Sequence, residues 1–139
     1  MSRKHKTNHA IIIGLEGELG SGKTTFVQKF AKALGIKEHI TSPTFVILKK
    51  YQIPSTKYQY VIHIDAYRLK TGEELNKLGI QELIQDPRNI IMIEWANLVA
   101  DILPNDRITI HFEHVDENTR KIQISSTKSQ IITNESNSK

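Results

Sequence analysis

The chain has 139 residues, 38% of them hydrophobic, with a formal net charge of +4 and no cysteine. That length holds one domain with a real core and no more, and the missing cysteine excludes disulfides, thiol catalysis and cysteine-ligated zinc. The basic start MSRKHKTNH is not followed by a signal-peptide pattern, and no apolar run approaches a membrane span, so a cytoplasmic protein without membrane contact is expected.

In chain order, residues 1–9 read as a disordered lead, 10–125 as one domain and 126–139 as a disordered polar tail. A strand-like run from Ala10 to Leu15 leads into a glycine-rich turn, and a helix follows from Lys23 to Leu34. Its apolar stripe is Phe26, Phe30 and Leu34, widened by Val27 and Ala31, and Gly35 is placed as its C-cap. Residues 45–53 and 58–65 are strand-like runs joined by Pro54-Ser55-Thr56-Lys57, short enough for an antiparallel hairpin. Thr71-Gly72-Glu73-Glu74 opens a helix that stops at Gly79, and Ile80–Gln85 makes a second short one. Asn89–Glu94 is a continuous apolar strand of the kind buried on both faces. Trp95–Ile102 is a short helix or turn. Arg107–Val115 and Arg120–Ser125 alternate around Asp116-Glu117-Asn118-Thr119 as a second hairpin. The expected class is α/β: a P-loop NTPase-like three-layer sandwich with a mixed sheet, antiparallel hairpins and few helices.

The turn after the first strand is Gly17-Glu18-Leu19-Gly20-Ser21-Gly22-Lys23-Thr24, a G-x-x-x-x-G-K-T pattern with a strand before it and a helix after. Glycines let successive backbone N–H groups turn inward as an anion nest, and the helix start adds its unpaired amides and positive dipole end. The reading places a nucleotide's phosphates on Glu18, Leu19, Gly20, Ser21, Gly22, Lys23, Thr24 and Thr25. Lys23 reaches the terminal phosphates, and the Thr24 hydroxyl binds Mg²⁺. A bland Gly-rich turn is the competing interpretation, and the flanking strand and helix argue against it.

Such a loop needs carboxylates on neighbouring strand ends to fix Mg²⁺ and activate water. Asp65 ends Val61-Ile62-His63-Ile64, and Glu94 ends Ile90-Ile91-Met92-Ile93. The reading assigns Asp65 to the metal and Glu94 to the attacking water, with the pairing better supported than the division of labour. Thr44, in the hydroxyl-rich Thr41-Ser42-Pro43-Thr44-Phe45, sits where nucleotide-sensing loops lie in P-loop switches. His63 reads as a packed or hydrogen-bonded core histidine before it reads as a catalyst. Arg68 is a candidate phosphate contact or an ion-pair partner. Trp95 is core or contact surface.

Gly-Glu-Leu-Gly-Ser-Gly-Lys-Thr-Thr-Phe, Ser42-Pro43-Thr44-Phe45, His63-Ile64-Asp65-Ala66-Tyr67-Arg68-Leu69, Glu73-Glu74-Leu75 with Leu78-Gly79, Ile93-Glu94-Trp95 and Leu103-Pro104 occur in order and at compatible spacing. This set resembles the bacterial TsaE (YjeE) family over about residues 10–125. The resemblance implies a small P-loop ATPase of tRNA threonylcarbamoyladenosine biosynthesis, binding ATP/ADP and Mg²⁺. It would work with a TsaB–TsaD-type heterodimer and meet tRNA through that complex, its hydrolysis resetting the transferase between turnovers. It further implies that Lys23, Thr24, Asp65 and Glu94 serve nucleotide, metal and hydrolysis, and that Thr44 responds to the nucleotide. Family members usually carry a helical segment before the first strand that helps to enclose the nucleotide. Only nine mostly polar residues precede the strand here, so a naturally shortened member or a true start further upstream is expected. Two other readings of the residues are a small-molecule P-loop kinase and a nucleotide-dependent binding module with little catalysis.

Overall fold

The computed structural model describes residues 8–18, 20–41, 47–55, 57–126 and 132–138. Among these, one sheet of seven strands runs in the order β2-β3-β4-β1-β5-β6-β7. The strands are β1 (Ile11–Gly17), β2 (Leu48–Gln52), β3 (Tyr60–Asp65), β4 (Asn89–Glu94), β5 (Ile108–Asp116), β6 (Thr119–Ser126) and β7 (Ile132–Ser138). The centre is parallel, β3 with β4, β4 with β1 and β1 with β5. The margins are antiparallel, β2 on β3 at one side and β6 then β7 at the other. This is the expected mixed sheet, with both hairpins present.

Helices cover both faces, which is why the central strands are apolar throughout rather than alternating. All six residues of β4 are buried. On one face α1 (Lys23–Ala33) presses Val27 and Ala31 onto Ile13, Leu15, Met92, Ile110 and Phe112. On the other, α2 (Gly72–Asn76), α3 (Ile80–Ile84) and a 3₁₀ segment (Ala96–Ile102) bring Leu75, Ile80, Ile84 and Val99 against Ile12, Ile62, Ile64, Ile91 and Ile93. Each Val, Leu, Ile, Met or Phe side chain among them taken fully out of water contributes roughly 1.5–3 kcal/mol, so the two clusters hold the three layers together.

Boundaries shift in ways that have local causes. The first helix closes one residue early, at Ala33, and Gly35 then takes φ 90°, a left-handed conformation that suits a glycine beyond a helix end. Thr71 gives α2 no side-chain cap; instead Glu74 accepts a hydrogen bond from the Lys70 amide at 2.8 Å. Gly79, at φ 90°, separates α2 from α3 as the sequence suggests.

The two termini depart from expectation. Residues 132–138, expected within a disordered tail, form β7, paired antiparallel with β6 from Thr119↔Ser138 to Ser125↔Ile132. Backbone pairing satisfies the open N–H and C=O row of an edge strand without requiring an apolar pattern, so composition gave no sign of it. At the other end, His9 was expected within the lead, yet its Nε2 lies 2.8 Å from Asp106 Oδ1. Next to it, Ala10 donates its amide to Ile84 O at 2.7 Å. Among the described residues no helix is long and apolar enough to cross a membrane.

Candidate functional site

The parallel strands β1, β4 and β3 end at one level, because their register pairs Leu15 with Glu94 and Glu94 with Asp65. Ligands of open α/β sheets bind beyond such carboxyl ends. Here the glycine-rich turn leaves β1 and the two carboxylates leave its neighbours at the same place. A pocket of about 280 Å³ opens there, lined by Gly20, Gly22, Lys23, Thr24, Thr25, Asp65, Tyr67, Glu94, Trp95 and Arg120.

Backbone conformation explains two of the glycines. At Gly17 a Cβ would stand 2.5 Å from Phe112 O and 2.9 Å from Ser21 Oγ, at a φ of +145°. The turn therefore lies too close to β5 for any side chain. Gly22 is the N-cap of α1 in the left-handed region, φ 107°. It supplies no side-chain acceptor, and the first turn of the helix holds no acidic residue. Among the described residues no side chain caps the leading amides, so these and the positive dipole end suit an anion from outside the chain.

Lys23 is folded onto its own loop. Its ammonium donates to Gly17 O at 2.7 Å and Glu18 O at 2.9 Å, approaches Ser21 Oγ at 3.5 Å, and lies 4.4 Å from the centre of the Trp95 ring. Burial pushes its pKa below the usual lysine value, partly opposed by Glu94 and Asp65. Ser21 is 1% exposed, and its amide donates to Glu18 O at 3.1 Å, closing the turn.

Next along the helix, the Thr24 hydroxyl donates to both oxygens of Glu94, at 3.0 Å to Oε1 and 2.8 Å to Oε2. Glu94 is 4% exposed. Behind it, Nε2 of the fully buried His63 lies 2.7 Å from Oε2. Asp65 is more open and accepts the Tyr67 amide at 3.0 Å. Burial raises its pKa above the ordinary carboxylate value; the Tyr67 hydrogen bond opposes this and the nearby Glu94 charge adds to it.

Trp95 follows Glu94 with φ 62°, the positive-φ residue other than glycine in the described chain. Its amide is tied to Leu15 O at 2.8 Å and its ring meets Tyr67 at 5.1 Å. Residues held in this region concentrate at functional sites, and here the twist turns the indole toward Lys23.

The structure brings Lys23, Thr24, Asp65 and Glu94 together, and Glu18, Gly20, Ser21, Gly22 and Thr25 lie in or beside the turn. Leu19 and Thr44 lie outside the described residues. Arg68 is exposed and does not line the pocket; the arginine that does is Arg120, on β6. Nothing local marks Arg120, since it belongs to a hairpin strand about a hundred residues downstream of the turn.

Strand, glycine-rich turn and capless helix, with a lysine, a threonine and two strand-end carboxylates converging, define a domain of the phosphate-loop nucleotide-binding class. The family model described as threonylcarbamoyl adenosine biosynthesis protein TsaE matches residues 2–122. The chain belongs to the TsaE family. It is 36% identical to the tRNA threonylcarbamoyladenosine biosynthesis protein TsaE of Bacillus subtilis over 80% of its own length and 66% of that protein's. With the Treponema pallidum protein of the same name it shares 38% over 81% of its length and 80% of the other's. The crystal structure of YdiB from Bacillus subtilis superimposes with a TM-score of 0.65 at 30% identity, covering 87% of this chain and 71% of that one. The chain spans about two thirds of the length of its Bacillus relative.

Proposed function

We propose that the chain binds ATP with Mg²⁺ in the pocket at the carboxyl ends of β1, β3 and β4 and hydrolyses it within tRNA threonylcarbamoyladenosine biosynthesis. The observation that carries this reading is the convergence on one pocket of Lys23, Thr24, Asp65 and Glu94, with Thr24 hydrogen-bonded to Glu94 at 2.8 Å. A turn that only bound phosphate would need no carboxylate pair at its mouth.

The donor set fits the metal. A hydroxyl and two carboxylates are hard oxygen ligands, and Mg²⁺ is usually held by one or two carboxylates together with phosphates and water. Thr24, Asp65 and Glu94 would hold it, and when bound it neutralises charge developing on the transferred phosphoryl group. Lys23 then exchanges its loop carbonyls for phosphate oxygens, and the open amides of α1 take the rest of the anion. Glu94 orients the attacking water, and its bond to Thr24 supports a share in the metal shell as well. The family relationship supports ATP as the nucleotide and a TsaB–TsaD-type heterodimer as the partner, with tRNA reached through that complex and ATP turnover resetting it.

The test is reconstitution of tRNA threonylcarbamoylation with the heterodimer, with and without this chain and ATP, using the wild type and Glu94→Gln. Multiple-turnover modification is expected to require chain and ATP, and Glu94→Gln is expected to lower phosphate release by two orders of magnitude or more, roughly the contribution of a positioned acid–base group. Unchanged hydrolysis in Glu94→Gln would remove the catalytic role of that residue. Phosphate appearing on a small acceptor instead of in water would make the protein a kinase.

A further inference from the structure

His63 is 0% exposed and has no task in the hydrolytic reading above. Strand side chains alternate faces, so His63 shares the α1 face with Asp65 two residues on, and it stands opposite Met92 in β4. It therefore lies one step beneath the carboxylate pair, on the protein side of the pocket. Its Nε2 is 2.7 Å from Glu94 Oε2, while its Nδ1 is buried with no hydrogen-bond partner among the described residues.

That combination separates two explanations. If His63 were there to fill space, a leucine or methionine would do so without an orphaned ring nitrogen, and a buried polar atom left unpaired costs about 1–3 kcal/mol. The imidazole must return something at its other nitrogen. The tautomer follows from the same accounting. With the proton on Nε2, the ring donates to a carboxylate, and only a bare acceptor is left at Nδ1. With the proton on Nδ1, a donor would be buried unpaired and a lone pair would face the carboxylate.

We propose that His63 is a positioning residue for Glu94, its Nε2–H and the Thr24 hydroxyl together fixing the carboxylate in the orientation that hydrolysis uses. Two donors approach Glu94 from different elements, Thr24 from α1 and His63 from β3. A carboxylate gripped from a helix and from an adjacent strand cannot rotate away without breaking one of them. Supporting contacts of this kind behind a metal or catalytic ligand typically change activity by 10–100-fold when removed. The proposal rests on the reading of Glu94 as part of the hydrolytic site.

The experiment compares ATP hydrolysis by the full chain, with Mg²⁺ and the heterodimer, in the wild type, His63→Leu, His63→Gln, Glu94→Gln and the His63→Leu/Glu94→Gln double variant. Affinity for a fluorescent ATP analogue and melting temperature are measured alongside. His63→Leu is expected to lower kcat by about 10–100-fold while KM and analogue affinity stay within about twofold, because nucleotide binding rests on other residues. His63→Gln, whose amide can donate near the position of Nε2, is expected to restore most of the loss. In the Glu94→Gln background, His63→Leu is expected to add nothing, since residues acting as a unit are non-additive.

A folded His63→Leu with wild-type kcat, beside an impaired Glu94→Gln, overturns the proposal and leaves the reading of Glu94 standing. Equal losses from His63→Leu in both backgrounds also overturn it. Unchanged turnover in Glu94→Gln sinks both together. Side-chain ¹⁵N spectra of the wild-type protein give a result independent of whether any variant folds: an Nε2-protonated His63 supports the proposal, and an Nδ1-protonated one overturns it.

Discussion

Asp65 and Lys23 are displaced in opposite directions by the same cause, burial, which disfavours the charged form of each. For Asp65 this couples stability to pH. In metal-free protein its folded pKa is raised above the ordinary carboxylate value by burial, so it contributes stability below that ordinary value and loses the contribution as pH rises through the folded pKa. At neutral pH its ionisation therefore opposes folding. Asp65→Asn keeps an oxygen for the Tyr67 amide and removes the charge. It is expected to raise the melting temperature at pH 7 in chelator, with the advantage shrinking toward pH 4. Thermal scans of both proteins across that range check this, and an advantage that grows on acidification would contradict it. The same substitution is expected to lower ATP turnover, the ordinary exchange of stability for function at a binding site.

At the scale of elements, the proposed function rests on the turn and its two neighbouring strands, and the position of the turn is set by steric limits. Gly17 stands where a Cβ would meet the carbonyl of Phe112 at 2.5 Å, backbone against backbone, with no flexible side chain to yield. Gly17→Ala is expected to destabilise the protein by roughly 1–3 kcal/mol, the usual magnitude for a non-glycine residue forced into a sparsely populated conformation. It should also weaken ATP binding, because the anion nest shifts with the turn. Urea unfolding and nucleotide titration measure the two effects, and a fully stable Gly17→Ala would show that β5 can retreat. The opposite margin of the site comes from β6, which delivers Arg120 to the pocket. The hairpin thus adds a guanidinium to a site otherwise assembled from β1, α1, β3 and β4.

For the molecule as a whole, a site with open helix amides and two partly desolvated charged groups should be stabilised by its ligand. Anything bound by the native state alone contributes about 2.7 kcal/mol at a hundredfold excess over its Kd. Melting temperature is expected to rise with ATP and Mg²⁺ together, and Lys23→Ala to abolish the rise; a shift that persists in Lys23→Ala would place the nucleotide elsewhere. Much of this was readable in advance. The glycine-rich turn was legible because its chemistry demands particular residues at fixed spacing, and Asp65 and Glu94 because each closes an apolar run at a strand end. The two hairpins were legible from alternation around short polar turns. The C-terminal strand was not, since an edge pairs through the backbone, which leaves no mark on composition. Arg120 was not, since nothing in a local window says which strand lies beside the turn. His63 was visible only as a histidine inside an apolar run, and its meaning is a contact of 2.7 Å to a residue 31 positions away. The sequence by itself determined the family and placed the glycine-rich turn and the strand-end carboxylates, because those depend on residue type and local spacing. The tertiary structure alone decided which groups stand behind them, because sheet order and strand register are properties of the whole chain packed around one core.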